Sequence, residues 1–335
     1  MKRIRIITLL LLTAVLGGCG STSGPSEVPV VILDTDIGSS TDDLFAMELL
    51  YRYEQQGRCR VLGIVADREG TACAACADAM NTFFGHGEVP VGLERNGIKN
   101  PAVWVDYQTF PSLQAEGKPL FRLSVPDYSA LPDGWQLYRQ LLSSQPDGSV
   151  TIVSIGFLTC LSQLLESGPD HFSPLSGVEL VRQKVKRLYM MGGVFVPSDV
   201  SDYNILQGLP FAKTFFRLWP AEVEITFSPG EVGEPLNYSP EAVLADLSEV
   251  AVHPIKQVYE TYPCDAGQRM WDPLCVINAV EGDAVFTLSP YGVVTLSDEG
   301  KTVFTETPDG RARYQMPGDD TWNTAMLRRI ADFTH

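Results

Sequence analysis

Positive charge is scarce in this sequence. Its 335 residues carry 25 Lys and Arg against 41 Asp and Glu, for a formal net charge of −16. A protein that grips a phosphate backbone needs the opposite sign, which sets nucleic-acid binding aside. Long apolar runs are missing too: the longest, residues 6–16, is too short to span a bilayer as a helix. No internal repeat is present, so a fibrous architecture is excluded. No stretch within 29–335 is polar enough to act as a linker, which argues for one domain over that range. What is present is an ordinary globular composition, 44% hydrophobic and 20% charged, too apolar for a disordered chain. A chain this long buries a large core without needing disulfides or metals for stability.

The first residues stand apart. Lys2, Arg3 and Arg5 precede the apolar run 6–16, and Leu16-Gly17-Gly18-Cys19 follows it. Basic, apolar and small-residue elements ending in Cys are the order of a bacterial lipoprotein signal. The expectation is a leader over 1–18, lipidation at Cys19 and a Ser/Gly/Pro-rich tether over 19–28. The domain would then be exported and held by its lipid at a bacterial membrane, the outer membrane, on the periplasmic or the surface side. Six further cysteines remain: Cys59, Cys73, Cys76, Cys160, Cys264 and Cys275. Cys73-x-x-Cys76 lacks the second pair or nearby His of a zinc site, and its Ala-rich setting reads as helix with small buried residues.

Along the chain, strands alternate with helices. Apolar β-branched runs at 28–33, 61–65, 89–92, 150–155, 185–190 and 223–227 read as strands buried on both faces. Helical patterns occupy 42–52, 71–84, 135–143, 158–166, 210–218, 272–280 and 320–333. Residues 292–314 alternate around Asp298-Glu299-Gly300 and Pro308-Asp309-Gly310, the pattern of a hairpin or meander. The expected class is α/β: an open, mostly parallel, Rossmann-like sheet with helices on both faces, a small C-terminal hairpin and a closing helix.

In such a sheet, ligands bind beyond the carboxyl ends of the strands. The first strand is followed by Asp34-Thr35-Asp36-Ile37-Gly38-Ser39-Ser40-Thr41-Asp42-Asp43, four carboxylates in ten residues. Helix capping accounts for Asp42 or Asp43 but not for Asp34 and Asp36. A hard divalent cation, Ca²⁺ or Mg²⁺, would relieve the repulsion. Asp67, residues 154–159, residues 190–193 and Trp271-Asp272-Pro273 supply further polar or glycine-rich turns at element ends.

Together these motifs resemble the inosine–uridine-preferring nucleoside hydrolases. The opening D-x-D-x-G…D-D corresponds to Asp34, Asp36, Gly38, Asp42 and Asp43. The central V-x-x-G-P-L-T-N corresponds to Val153–Cys160, with Phe157 for Pro and Cys160 for Asn. M-G-G corresponds to Met191–Gly193, the acidic-aromatic-Asn element to Asp202-Tyr203-Asn204, and the late D-P to Asp272-Pro273. Five blocks in the family's order cover about residues 29–280; the last 55 or so match less clearly.

The resemblance implies the nucleoside hydrolase fold and a Ca²⁺ site made by Asp36, Asp43, Asp272 and the backbone carbonyl of Ile155. It implies hydrolysis of the N-glycosidic bond of ribonucleosides, with Asp36 as general base to a water nucleophile. Asp42 and Asn204 would hold the ribose, with Asp67, Asp202 and backbone groups around Met191 as further sugar contacts. Relatives tend to be homodimers or homotetramers. The departures lie on the base side. Trp271 stands where some members have a His, and Val196 stands near the position of a frequent Asn. Trp271 and Tyr203 are candidates for the base pocket, which Trp104, Tyr107 and Tyr262 could extend. His86, His171, His253 and His335 fall outside every matched motif and read as surface or loop residues. Segments 101–126 and 262–270 read as irregular loops or lids.

Two other readings remain open at this level. Asp34-x-Asp36 after an apolar strand is also similar to the start of a haloacid-dehalogenase phosphatase, with Lys184 or Lys186 as the phosphate lysine. A lipoprotein that binds a nucleoside or sugar without cleaving it would carry much the same residues.

Overall fold

The computed structural model describes residues 28–99, 101, 103–196 and 199–332. The leader and Cys19 lie outside that set. Among the described residues, thirteen strands and twelve α-helices follow in chain order. The strands are β1 Val30–Thr35, β2 Arg60–Glu69, β3 Val91–Glu94, β4 Gln114–Ala115, β5 Lys118–Pro119, β6 Val150–Ser154, β7 Val185–Met191, β8 Glu224–Ser228, β9 Asn237–Tyr238, β10 Gln268–Arg269, β11 Gly292–Leu296, β12 Thr302–Glu306 and β13 Ala312–Tyr314. The helices are α1 Asp42–Gln55, α2 Thr71–Phe83, α3 Gly134–Ser143, α4 Thr159–Glu166, α5 Gly177–Lys184, α6 Tyr203–Gln207, α7 Leu209–Leu218, α8 Gly230–Gly233, α9 Pro240–Asp246, α10 Pro254–Thr261, α11 Asp272–Glu281 and α12 Asp320–Ala331.

Nine strands form one sheet in the order β12-β11-β13-β8-β7-β6-β1-β2-β3. Neighbours from β3 across to β13 pair in parallel, while β11 runs antiparallel to both β12 and β13. The C-terminal hairpin therefore extends the central sheet through β13, rather than standing apart as a separate ribbon. Apolar β-branched strands without polar alternation fit this arrangement, because both faces are covered.

The two faces have different cores. Val31 and Leu33 of β1 look toward α1, α2, α10 and α11. Ile32, between them, looks toward α3, α4, α5 and α7. Period-two alternation then decides where the polar end of β1 points. Asp34 follows Ile32 onto the α3 face, and Thr35 follows Leu33 toward α1.

Helices α5, α9 and α10 were not legible in the apolar pattern. Their signals were short-range: Ser176 and Glu179 form a reciprocal capping box for α5, and Ser239 caps α9. The cysteine reading holds: all six described cysteines are free, and Cys73 and Cys76 are buried in α2. His253 is a loop residue just before α10, as the surface-or-loop reading allowed, but it is not on the surface. It is 3% exposed, 3.6 Å from Glu48 and edge-on to Phe83, because α10 packs across α1 and α2.

Candidate active site

Where β1, β6, β7 and β8 end, a cavity of about 400 Å³ opens. Its floor comes from three segments. Asp36 lies just beyond β1, Asp42 and Asp43 open α1, and Asp272 opens α11. Helices α1 and α11 pack side by side, so two helix N-termini converge on one point and their dipoles favour carboxylates there. One carboxylate oxygen from each of Asp42, Asp43 and Asp272 lies within 4.8 Å of the others, and all three residues are buried.

Such a cluster is expensive without a counter-charge. Burial pushes Asp36 and Asp42 up to about 6, and it pushes Asp43 and Asp272 well above the ordinary range with help from neighbouring carboxylates. Asp42 is already engaged. Its Oδ1 accepts from Ser40 Oγ at 2.5 Å and Gln268 Nε2 at 3.0 Å, and its Oδ2 accepts from the Asp272 backbone N–H at 3.3 Å. Asp43 takes a hydrogen bond from the Thr35 hydroxyl, yet its Oδ2 has no partner. A buried carboxylate oxygen left open, facing two other carboxylates, suits a divalent cation with oxygen ligands.

The fourth oxygen source implied by the resemblance, Ile155, follows β6 and lines the cavity. Its N–H is fixed by the Asp34 carbonyl at 2.8 Å. Gly156 makes this approach possible. A Cβ there would lie 2.5 Å from the Asp36 backbone N and 2.6 Å from each Asp67 oxygen.

The walls hold most of the remaining expected residues. Met191, Asp202, Asn204, Tyr203 and Trp271 all line the cavity, and Asn204 Nδ2 approaches Met191 Sδ at 4.0 Å. Asp202 caps α6 through the Ile205 N–H, and burial pushes it up to about 6. Trp104 packs edge-on against both Tyr203 and Trp271 while staying 60% exposed, so it forms the rim. Tyr107 and Tyr262 are not part of the wall: the Tyr107 hydroxyl donates to the Ser40 carbonyl, and the Tyr262 hydroxyl bonds Thr109.

Two expected carboxylates lie elsewhere. Asp67 is fully buried beneath Gly156 and does not line the cavity. Asp34 faces α3, bonded to Tyr138 at 2.9 Å and Ser154 at 3.3 Å. A nucleophile at Asp34, as the phosphatase reading requires, would have no access to substrate. Lys184 fails that reading too. It ends α5, just before the start of β7 and so at the far end of that strand from the cavity, where it pairs with Asp147.

Three residues near the site were missed. Gln268 ties β10 to the N-terminus of α1: it accepts from the Thr41 N–H and donates to Ser40 and Asp42. Arg68 is 2% exposed, with no hydrogen bond to its guanidinium, and its charge acts on Asp36 and Asp43. Glu231 lines the wall just after β8. The strand-end rule that picked out Asp67 would have found Arg68 and Glu231; Gln268 had no local signal.

A family model for the inosine-uridine preferring nucleoside hydrolases matches residues 31–325. The chain belongs to that family. Nucleoside hydrolases cleave the N-glycosidic bond of nucleosides, and the chain is an N-glycosyl hydrolase by membership. No curated protein matches it in sequence. Among solved structures, an inosine-uridine preferring nucleoside hydrolase from Bacillus anthracis aligns with TM-score 0.66 and 18% identity, covering 91% of this chain and 100% of its own. An inosine-guanosine nucleoside hydrolase aligns with TM-score 0.68 and 15% identity, covering 92% and 98%. A purine-preferring ribonucleoside hydrolase from Gardnerella vaginalis aligns with TM-score 0.63 and 17% identity, covering 91% and 99%. At these identities the likeness speaks for a shared nucleoside hydrolase fold.

Proposed function

We propose that this protein hydrolyses ribonucleosides to free base and ribose in a Ca²⁺-dependent reaction. The observation that carries the reading is the buried group of Asp42, Asp43 and Asp272 at the floor of a cavity whose rim is aromatic. Asp43 and Asp272, with Asp36 and the Ile155 carbonyl, would hold the ion. Asp42, whose oxygens are already oriented by Ser40, Gln268 and the Asp272 N–H, is suited to accept from ribose hydroxyls. Calcium, when bound, supplies positive charge that polarises water and the ribose oxygens.

Asp36 then acts as general base on the attacking water. In the ion-free chain burial raises its carboxyl and the Arg68 charge lowers it; beside the ion it is held as the carboxylate a general base needs. Asn204 holds the sugar from the side of β7 and α6, with Asp202 beside it. Contacts that tighten as the sugar takes on oxocarbenium character raise the rate, not only the affinity. The aromatic rim of Trp104, Tyr203 and Trp271 receives the base. Export and lipidation at Cys19 belong to the same reading, as a nucleosidase working at a membrane surface.

The test is ribose release from a panel of purine and pyrimidine nucleosides, in Ca²⁺ or EDTA, beside Asp36→Ala. Release that needs Ca²⁺ and is lost in the variant supports the hydrolase. Tight nucleoside binding by the wild type without ribose release would replace it with the binding-protein reading.

A further inference from the structure

A base leaving a ribose needs a proton on one of its nitrogens as the bond to C1′ breaks. Among the described residues lining the cavity, none is Lys, Arg or His. The Trp271 indole N–H is committed to the Gly230 carbonyl at 3.0 Å. The Tyr203 phenol is a weak acid that burial weakens further, so the carboxyls of the walls are the better donors. Asp202 is occupied as the cap of α6, and Glu234 is paired with Arg269 at 2.8 Å.

Glu231 differs from both. Its Oε1 accepts the backbone N–H groups of Phe195 at 2.9 Å and Val196 at 3.0 Å, which fixes the side chain. Its Oε2 is buried and has no hydrogen-bond partner among the described residues. Burial raises its carboxyl above its ordinary value, against the opposing pull of the backbone N–H groups. Glu231 comes from α8, just after β8, whereas the floor carboxylates come from the end of β1 and the first turns of α1 and α11. Glu231 thus stands on the wall, apart from the floor carboxylates. Val196 and Val200, on the same wall, are exposed apolar surface of the kind a flat base covers.

We propose that Glu231 is the proton donor to the departing base. This rests on the nucleosidase reading above. As the C1′–N bond breaks, its electron pair stays with the base, and the Glu231 proton moves to a base nitrogen. The water oxygen bonds to C1′ and passes its proton to Asp36. Once the base has left, Glu231 regains a proton through water entering the emptied cavity as Asp36 gives one up.

The experiment compares Glu231→Gln and Glu231→Ala on two substrate types. One is the nucleoside panel; the other is 4-nitrophenyl riboside, whose phenolate leaves without being protonated. Gln keeps an oxygen for the Phe195 and Val196 N–H groups but has no acidic proton, whereas Ala removes both. E231Q is expected to lower kcat on nucleosides by about 10²–10⁴-fold and to cost far less on the 4-nitrophenyl riboside. E231A is expected to lower both, because the 195–196 backbone loses its anchor. Equal losses in E231Q on both substrate types, with wild-type melting and Ca²⁺ response, would overturn the assignment. So would full nucleoside activity in E231Q. A wild type that cleaves only the 4-nitrophenyl riboside would refute the donor and leave ribosyl hydrolysis standing. A wild type that cleaves neither would refute the nucleosidase reading itself.

Discussion

Gly156 offers a test of how the site is held together. A methyl group there would meet the Asp36 backbone N at 2.5 Å and both Asp67 oxygens at 2.6 Å. Neither neighbour can swing away cheaply. One is main chain next to β1, and the other is a fully buried carboxylate beneath the sheet edge. Overpacking of this kind costs about 1–3 kcal/mol. In a chain of this size that lowers Tm by several degrees. The larger effect should be on geometry, because the displaced groups are Asp36 and the Ile155–Gly156 peptide. A misplacement of about 1 Å can reduce a rate by about 10²-fold. Gly156→Ala is therefore expected to lose several degrees of Tm in EDTA, about two orders of magnitude in kcat/KM, and most of its Ca²⁺-dependent rise in Tm. Gly168→Ala, where an added Cβ meets nothing within 4 Å, is the control and should change none of these. Wild-type kcat/KM and Ca²⁺ response in Gly156→Ala would refute the reasoning.

Other consequences can be checked in the same assays. Asp43→Asn removes one of the crowded charges, so it should raise Tm in EDTA while abolishing the further rise expected of the wild type on adding Ca²⁺; scanning calorimetry with and without the ion decides. Asp34, Asp36 and Asp42 sit at about 6 in the folded chain, above their ordinary value, because they are buried. The folded state therefore binds more protons than the unfolded one in that window. In EDTA, stability should rise as pH falls from about 7 to about 5, and saturating Ca²⁺ should weaken or reverse that slope, read from urea midpoints. Arg139 is fully buried and holds Asp170 with two hydrogen bonds of 2.8 and 2.9 Å. Its replacement by Ala should cost about 3–5 kcal/mol in urea unfolding while leaving the Ca²⁺-dependent rise in Tm intact. Trp104→Ala should raise KM for nucleosides more than it lowers kcat, since the side chain sits at the rim and not over the floor.

Much of the site was legible in the sequence because strand ends are local. An apolar run followed within three residues by Asp, Gly or Ser marks a carboxyl end wherever it falls in the sheet. That rule reached the segments that carry Asp36, Ile155 and Met191; Asp43 and Asp272 open helices, and the family resemblance pointed to them. The fold brings all five to one cavity. The rule failed where direction mattered. Asp34 and Asp36 are two residues apart at the end of a strand, yet one turns under the sheet to Tyr138 and the other borders the cavity. Gln268 could not be found at all, since its contact with Thr41 joins residues 227 positions apart.

The sequence by itself determined the α/β class, the order of the main strands and the acidic character of the first loop, because these follow from periodicity and composition over short windows. Only the tertiary structure decided that two helix N-termini meet over that loop, that Asp43 keeps an open oxygen while Asp42 does not, and that Glu231 stands on the wall without a partner for Oε2. Those outcomes depend on packing between segments far apart in the chain. No local pattern encodes which buried polar atom will be left unpaired.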